Sequence, residues 1–323
     1  MGILTNKEIM CPFCLEQVLP DSLNCPKCDK EISQSYKDVH HEMLPMVISA
    51  IGFSGHGKTI YLASLMYTLE KFSSIWPRFY KQALNHESLE TVKQNVQDLR
   101  SGRLPEMTKQ NFPIPSILCL NYVPSFSRKL MIIYDASGES FEIDSRIEKN
   151  ASYVKKSQTV FFLISLNDLL TDEKDGKEPL VDGMRNLLNI YMLGIRRLGG
   201  STKSQHLVVV YTKGDVLQQA LTDYPKTWDY VNGSELEIQN WDMPSYCNNM
   251  RGVSEDLKDF TVNCLEAHEF YNMSVDNFMS VEYCLISALG NAPVDDKLAN
   301  RISPRRVIDP LIWALYKSAA IYN

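Results

Sequence analysis

The stretch that decides the fold is MVISAIGFSGHGKTIYLASLMYTL, residues 46–69. Its first six residues form a short β-prone run that stops at Gly52, and beyond Thr59 the apolar residues Leu62, Leu65, Met66 and Leu69 recur at helical spacing. Strand, glycine loop and helix thus follow one another without a break. The loop has the form G-x-x-x-x-G-K-T. Backbone N–H groups over Gly52, Ser54, Gly55, His56, Gly57, Lys58, Thr59 and Ile60 can converge on phosphate oxygens, Lys58 can reach the β and γ phosphates, and the Thr59 hydroxyl can bind Mg2+. Phe53 reads as a packing residue. The loop specifies a nucleoside triphosphate but not its base.

Outward from this stretch, the chain alternates strands and helices. Leu89, Val92, Val96 and Leu99 form an apolar helical stripe closed by Gly102, and a proline-rich loop follows. SILCLNYV (116–123) and RKLMIIYDASGES (128–140) predict two adjacent strands and hence an antiparallel edge. TVFFLISL (159–166) and HLVVVYTKGD (206–215) read as strands buried on both faces, with a helix over 180–200 between them. A more polar span follows, with one helix over roughly 253–272. VEYCLISALG (281–290) is a last strand and turn, and Asp309 is the expected N-cap of a final helix whose first turn holds Pro310. Ile312, Leu315, Tyr316 and Ala319 should share one face of it. The fold class is α/β: a doubly wound, mostly parallel sheet that binds ligands at the carboxyl ends of its strands.

Ahead of this domain, CPFCLEQVLPDSLNCPKC places Cys11 and Cys14, then Cys25 and Cys28, as two C-x2-C pairs. Four thiolates complete a tetrahedral Zn2+ site, which leaves no position open for substrate and makes a structural role the expectation. Both pairs read Cys-Pro-x-Cys and resemble the knuckles of zinc ribbons. The expected organisation is a zinc ribbon over 1–34, a linker over 35–45 and a large domain over 46–323, with insertions near 75–105 and 220–278. His40 and His41 are read as linker residues, because four sulfurs already fill the coordination shell.

The chain has 323 residues, a formal net charge of −6, 44% hydrophobic and 22% charged residues. These are ordinary globular proportions, no apolar run is long enough to cross a bilayer, and the acidic balance argues against a nucleic-acid partner. Asn6 stands where an N-myristoylation signal needs Ser or Thr. Cys119, Cys247, Cys264 and Cys284 are scattered and suit a reducing compartment, so a cytoplasmic location is expected.

Three later stretches address the base and the γ-phosphate. In DASG, the Asp135 carboxylate can hold Mg2+ through water and the Gly138 N–H can face the γ-phosphate. In TKGD, which includes Thr212, Asp215 can accept two hydrogen bonds from guanine N–H groups, a pattern adenine does not offer, while the stem of Lys213 packs over the base. In chain order these stretches resemble the signature set of Ras-like, translation-factor-related P-loop GTPases over about residues 46–290. The resemblance implies GTP/GDP as ligand, with Ser287, Ala288 and Leu289 as the last base-contacting element. Thr212 stands where the family more often has Asn.

The same resemblance calls for a switch threonine. Thr108 is the expected Mg2+ ligand, with Thr91 as competitor. Lys58, Thr108 and Glu139 are the expected catalytic set. Glu139 occupies a position where family members often carry Gln, and its charge beside an anionic transition state predicts slow unaided hydrolysis. A partner's arginine or Arg103 would supply positive charge. The ribbon, the long span before Thr108 and DASGE are further similar to double-GTPase-type proteins of bacterial conflict systems, which implies companion proteins as partners. Two other readings stand beside the switch: a non-hydrolysing nucleotide-bound adaptor, and an ATP-dependent P-loop enzyme such as a kinase.

Overall fold

The computed structural model describes residues 8–105, 112–170, 180–216, 221–238, 241–291, 298 and 302–320. At the start, β1 (Ile9–Met10) and β2 (Gln17–Val18) pair antiparallel. Next comes α1 (Gln34–Glu42), where a polar linker was expected. Ser33 caps it by accepting from the Tyr36 N–H, and Tyr36, Val39 and His40 are buried. The physical reason is a short apolar face, Tyr36 and Val39, whose spacing of three is easily lost in a polar segment. His40 is part of that face: its Nε2 accepts from the Met10 N–H at 3.2 Å.

The decisive stretch folds as read, with β3 (Met46–Gly52) running into α2 (Lys58–Leu69). Then come β4 (Tyr80–Ala83), α3 (His86–Arg100), β5 (Ser116–Asn121), β6 (Arg128–Asp135), α4 (Asp144–Asn150), β7 (Thr159–Ser165), α5 (Leu166–Leu170), α6 (Leu180–Arg197) and β8 (His206–Thr212). The chain closes with α7 (Pro225–Asn232), α8 (Met243–Asp259), α9 (His268–Asn277), β9 (Ser280–Leu285) and α10 (Asp309–Ala320). Seven strands make one sheet in the order β4-β5-β6-β3-β7-β8-β9. The pairs β3·β6, β3·β7, β7·β8 and β8·β9 are parallel, and β4·β5 and β5·β6 form the antiparallel edge.

Strand residues alternate between two cores. Val47 and Ile51, Val160 and Phe162, Leu207 and Val209 face one side, where Leu188 and Ile195 of α6 pack. Ile48, Ala50, Phe161 and Val208 face the other, against Leu65 of α2 and Trp313 of α10. Burial on both faces explains why these strands read as unbroken apolar runs.

Three expectations are corrected. β4 belongs to the main sheet, so the span near 75–105 contributes an edge strand as well as a helix; its residues alternate between exposed and half-buried and carry no apolar signal. Leu89 is 50% exposed, so the α3 stripe is Val92, Val96 and Leu99. The single helix over 253–272 is instead α8, a π-helical turn over Phe260–Cys264, and α9. There, Thr261 Oγ1 donates to Leu257 O at 2.7 Å and meets Tyr211 Oη at 2.7 Å, and such back-bonding bends a helix. Beyond α3 the cap is as read: Arg103 N–H donates to Asp98 O at 2.9 Å and Gly102 N–H to Leu99 O at 3.3 Å.

Candidate functional site

The carboxyl end of β3 lies beside β6 and β7 at the middle of the sheet, where the connections change side and an α/β sheet opens a crevice. The loop that leaves β3 there is tightly built. Gly55 and Gly57 take φ of +80° and +85°, a region that residues with a Cβ rarely adopt. The Lys58 ammonium donates to Gly52 O at 3.0 Å and Phe53 O at 2.6 Å, and burial lowers its pKa to about 8. His56 is turned into the protein: its Nδ1 accepts from the Ser165 N–H at 3.0 Å, and burial lowers its pKa to about 4. The neutral ring therefore braces the loop against the end of β7.

Thr59 and Asp135, separated by 76 positions, meet directly: Thr59 Oγ1 donates to Asp135 Oδ2 at 2.8 Å. Hydroxyl and carboxylate so placed are hard oxygen donors of the kind Mg2+ accepts. Gly138 is pressed on the loop. A Cβ there would lie 2.4 Å from Ser54 N and 2.7 Å from Phe53 C, so only glycine permits this approach. Beside it, Glu139 Oε2 is buried with no hydrogen-bond partner among the described residues, and Glu139 O accepts from Arg146 Nη1 at 3.2 Å. Arg103, proposed as a charge donor, is held by Asp98 at 2.9 Å. Thr108 lies outside the described residues; Thr91 lies exposed on α3.

At the ends of β8 and β9 the stretches expected to read the base, TKGD and residues 287–289, come together. Thr212 Oγ1 donates to His56 O at 3.1 Å, which ties them to the phosphate loop. Ser287 Oγ donates to Asp215 Oδ1 at 2.5 Å and accepts from the Gly290 N–H at 3.0 Å, so the half-buried carboxylate has a fixed orientation. Ala288 O accepts from Ser64 Oγ at 2.6 Å, anchoring the last loop to α2. Leu289 O accepts from the Ser303 N–H at 2.8 Å. Lys213, at φ +60°, reaches Asp168 at 2.9 Å. Asp168 was not foreseen; its one sequence signal is its place just past a buried strand at the ligand-binding edge.

The four cysteines meet as read. The Sγ atoms of Cys11, Cys14, Cys25 and Cys28 lie within 4.8 Å of one another, with Cys11–Cys28 at 3.8 Å and Cys14–Cys25 at 3.5 Å. Tetrahedral sulfurs at 2.3 Å from a zinc ion stand about 3.8 Å apart, so this set fits one.

The sequence profile of Double-GTPase 2 matches residues 46–240, which hold the phosphate loop, DASG and TKGD. The chain belongs to the Double-GTPase 2 family. No curated protein sequence matches it. Among solved structures, a mutation variant of SsGBP is 14% identical, covering 87% of this chain and 58% of that one at a TM-score of 0.35. The S. cerevisiae Ski7 GTPase-like domain bound to GTP is 11% identical, with 85% and 50% covered and a TM-score of 0.36. The signal recognition particle receptor SRb-GTP/SRX complex of Chaetomium thermophilum is 13% identical, with 79% and 95% covered and a TM-score of 0.38. The chain thus spans 58% and 50% of the lengths of the first two. Likenesses this loose assign no residue roles in the Double-GTPase 2 chain. No helix among the described residues is long and apolar enough to cross a membrane.

Proposed function

We propose that this Double-GTPase 2 protein binds GTP with Mg2+, hydrolyses it slowly and acts as a nucleotide-dependent switch that recruits partner proteins. One observation carries the reading. The Thr59 hydroxyl and Asp135 carboxylate meet at 2.8 Å beside a phosphate loop on which Gly138 is closed without room for a side chain. Loop N–H groups and Lys58 would hold the phosphates, Thr59 and Asp135 would hold Mg2+, and Asp215, oriented by Ser287, would read guanine. The Mg2+ ion would neutralise charge on the β and γ oxygens. The four cysteines would hold structural Zn2+. A role in bacterial defence with companion proteins as partners is what the resemblance to conflict-system proteins implies, and the scattered cysteines favour a cytoplasmic setting.

Identification of the nucleotide that copurifies tests the loop and the base reader together; guanine nucleotide is expected, and ATP in its place would refute the assignment. Lys58→Ala should abolish nucleotide retention. Asp215→Asn removes a charge-assisted hydrogen bond, a loss of about 1.5–3 kcal/mol, so GTP affinity should fall about tenfold or more while ATP affinity does not. Glu139 supports a second reading, that of a non-hydrolysing adaptor, because it puts a carboxylate where water must be oriented. Single-turnover phosphate release separates the two: a slow rate that rises in Glu139→Gln favours the switch, and none in either protein favours the adaptor.

A further inference from the structure

The ribbon is fastened to the end of the strand that delivers Asp135. Tyr134, fully buried, donates its hydroxyl to Pro12 O at 3.0 Å and Phe13 O at 3.1 Å. Those carbonyls belong to the two residues between Cys11 and Cys14, inside the turn that brings these two sulfurs into the four-cysteine cluster. Phe13 N–H donates to Cys11 Sγ at 3.5 Å, and Leu15 N–H to Cys11 O at 2.9 Å. The same ring stacks on Tyr153 at 3.9 Å and 9°, and Phe112 sets its edge against both, at 6.4 Å and 5.7 Å.

Neighbouring residues of a strand point to opposite faces, with Cα atoms about 3.8 Å apart across a rigid peptide. The end of β6 is therefore gripped from two sides. On one side the knuckle holds Tyr134; on the other Asp135 meets Thr59. If the metal leaves, the knuckle carbonyls lose their fixed places, and a buried tyrosine hydroxyl without its acceptors must move. A shift there passes to Asp135 through one peptide unit.

We propose that Tyr134 is a positioning residue that couples the four-cysteine knuckle to Asp135, so that metal loading of the ribbon and binding of nucleotide favour one another. The proposal rests on the nucleotide reading above for its second half. Coupling between binding sites is reciprocal: whatever factor the metal contributes to nucleotide affinity, the nucleotide returns to metal affinity.

The test uses the full chain loaded with Zn2+ and has two arms. Hydrogen–deuterium exchange over residues 131–141 needs no nucleotide: it should speed up when zinc is chelated, and Tyr134→Phe, which keeps the ring stack but loses both hydrogen bonds, should show that faster exchange with zinc still bound. The increase there should exceed any over residues 206–212 in β8, which report the stability of the sheet as a whole. In the second arm, zinc affinity measured by equilibrium competition with a colorimetric chelator should rise about fivefold or more on adding GTP and Mg2+ in the wild type, and not at all in Tyr134→Phe. Wild-type exchange in zinc-loaded Tyr134→Phe overturns the proposal. So does a zinc affinity indifferent to GTP in a wild-type protein that binds GTP. A positive exchange result with no guanine-nucleotide binding leaves the strand fastening standing and overturns the nucleotide reading and its coupling.

Discussion

Gly138 sets the tolerance of the site at the scale of a single atom. Adding a Cβ at 2.4 Å from Ser54 N forces backbone apart, since neither contact atom is the end of a flexible side chain. Overpacking of this kind costs about 1–3 kcal/mol. Gly138→Ala should lower both melting temperature and GTP affinity, the latter about tenfold, whereas Gly252→Ala, whose Cβ meets nothing within 4 Å, should change neither for the worse. Calorimetry on the two variants checks this, and equal GTP affinity would remove Gly138 from the site. Lys58, Thr59, Asp135 and Gly138 were legible because each sits at a fixed offset from a strand end. Asp168 was not legible, because its pairing with Lys213 spans 45 positions and no local pattern records it.

At the scale of elements, the polar span after β8 supports the loop that carries Ser287. Arg306 lies 3.8 Å from the Tyr230 ring centre and donates its Nε to Tyr230 O at 2.7 Å, and its backbone N–H donates to Glu235 Oε2 at 2.7 Å. Asp309, expected to cap α10, accepts from Tyr230 Oη at 2.8 Å and Tyr246 Oη at 2.5 Å, joining α10 to α7 and α8. The neighbouring Arg305 bridges Ser287 as an isolated β-pair. No sequence period reports such a cluster, since its members come from four separate segments.

Burial, and then the nearby Asp309, pushes Glu235 up to about 7; burial pushes Asp309 up to about 6. A carboxyl whose folded pKa is raised holds its proton better when folded, so its contribution to stability is greatest in acid and is lost as pH rises through about 7. Glu235→Gln stays neutral throughout. The wild type should therefore gain melting temperature relative to Glu235→Gln as pH falls from 7.5 to 4.5. A constant difference across that range would mean the carboxyl is ionised in the fold.

For the whole molecule, the sequence reading of a ribbon joined by a linker to a separate α/β domain understates how far the parts share a core. Ile9, Phe13, Leu15 and Val18 of the ribbon and Tyr36 and Val39 of α1 belong to the same buried cluster as Val47, Ile132 and Tyr134 of the sheet. The two-by-two cysteine spacing located the four-cysteine cluster because such pairs obey a local rule, whereas the surface on which it docks is written in residues from β3 and β6 that look like any buried strand. Fully burying one such side chain contributes about 1.5–3 kcal/mol, so this shared surface is comparable with the whole stability of a domain. Ribbon and sheet should therefore melt in one calorimetric transition, and chelating the metal should move that transition down rather than split off a small early one. A separate low-temperature transition on chelation, with the main one unmoved, would show that the ribbon is an independent appendage and that the shared cluster adds little to the cohesion of the fold.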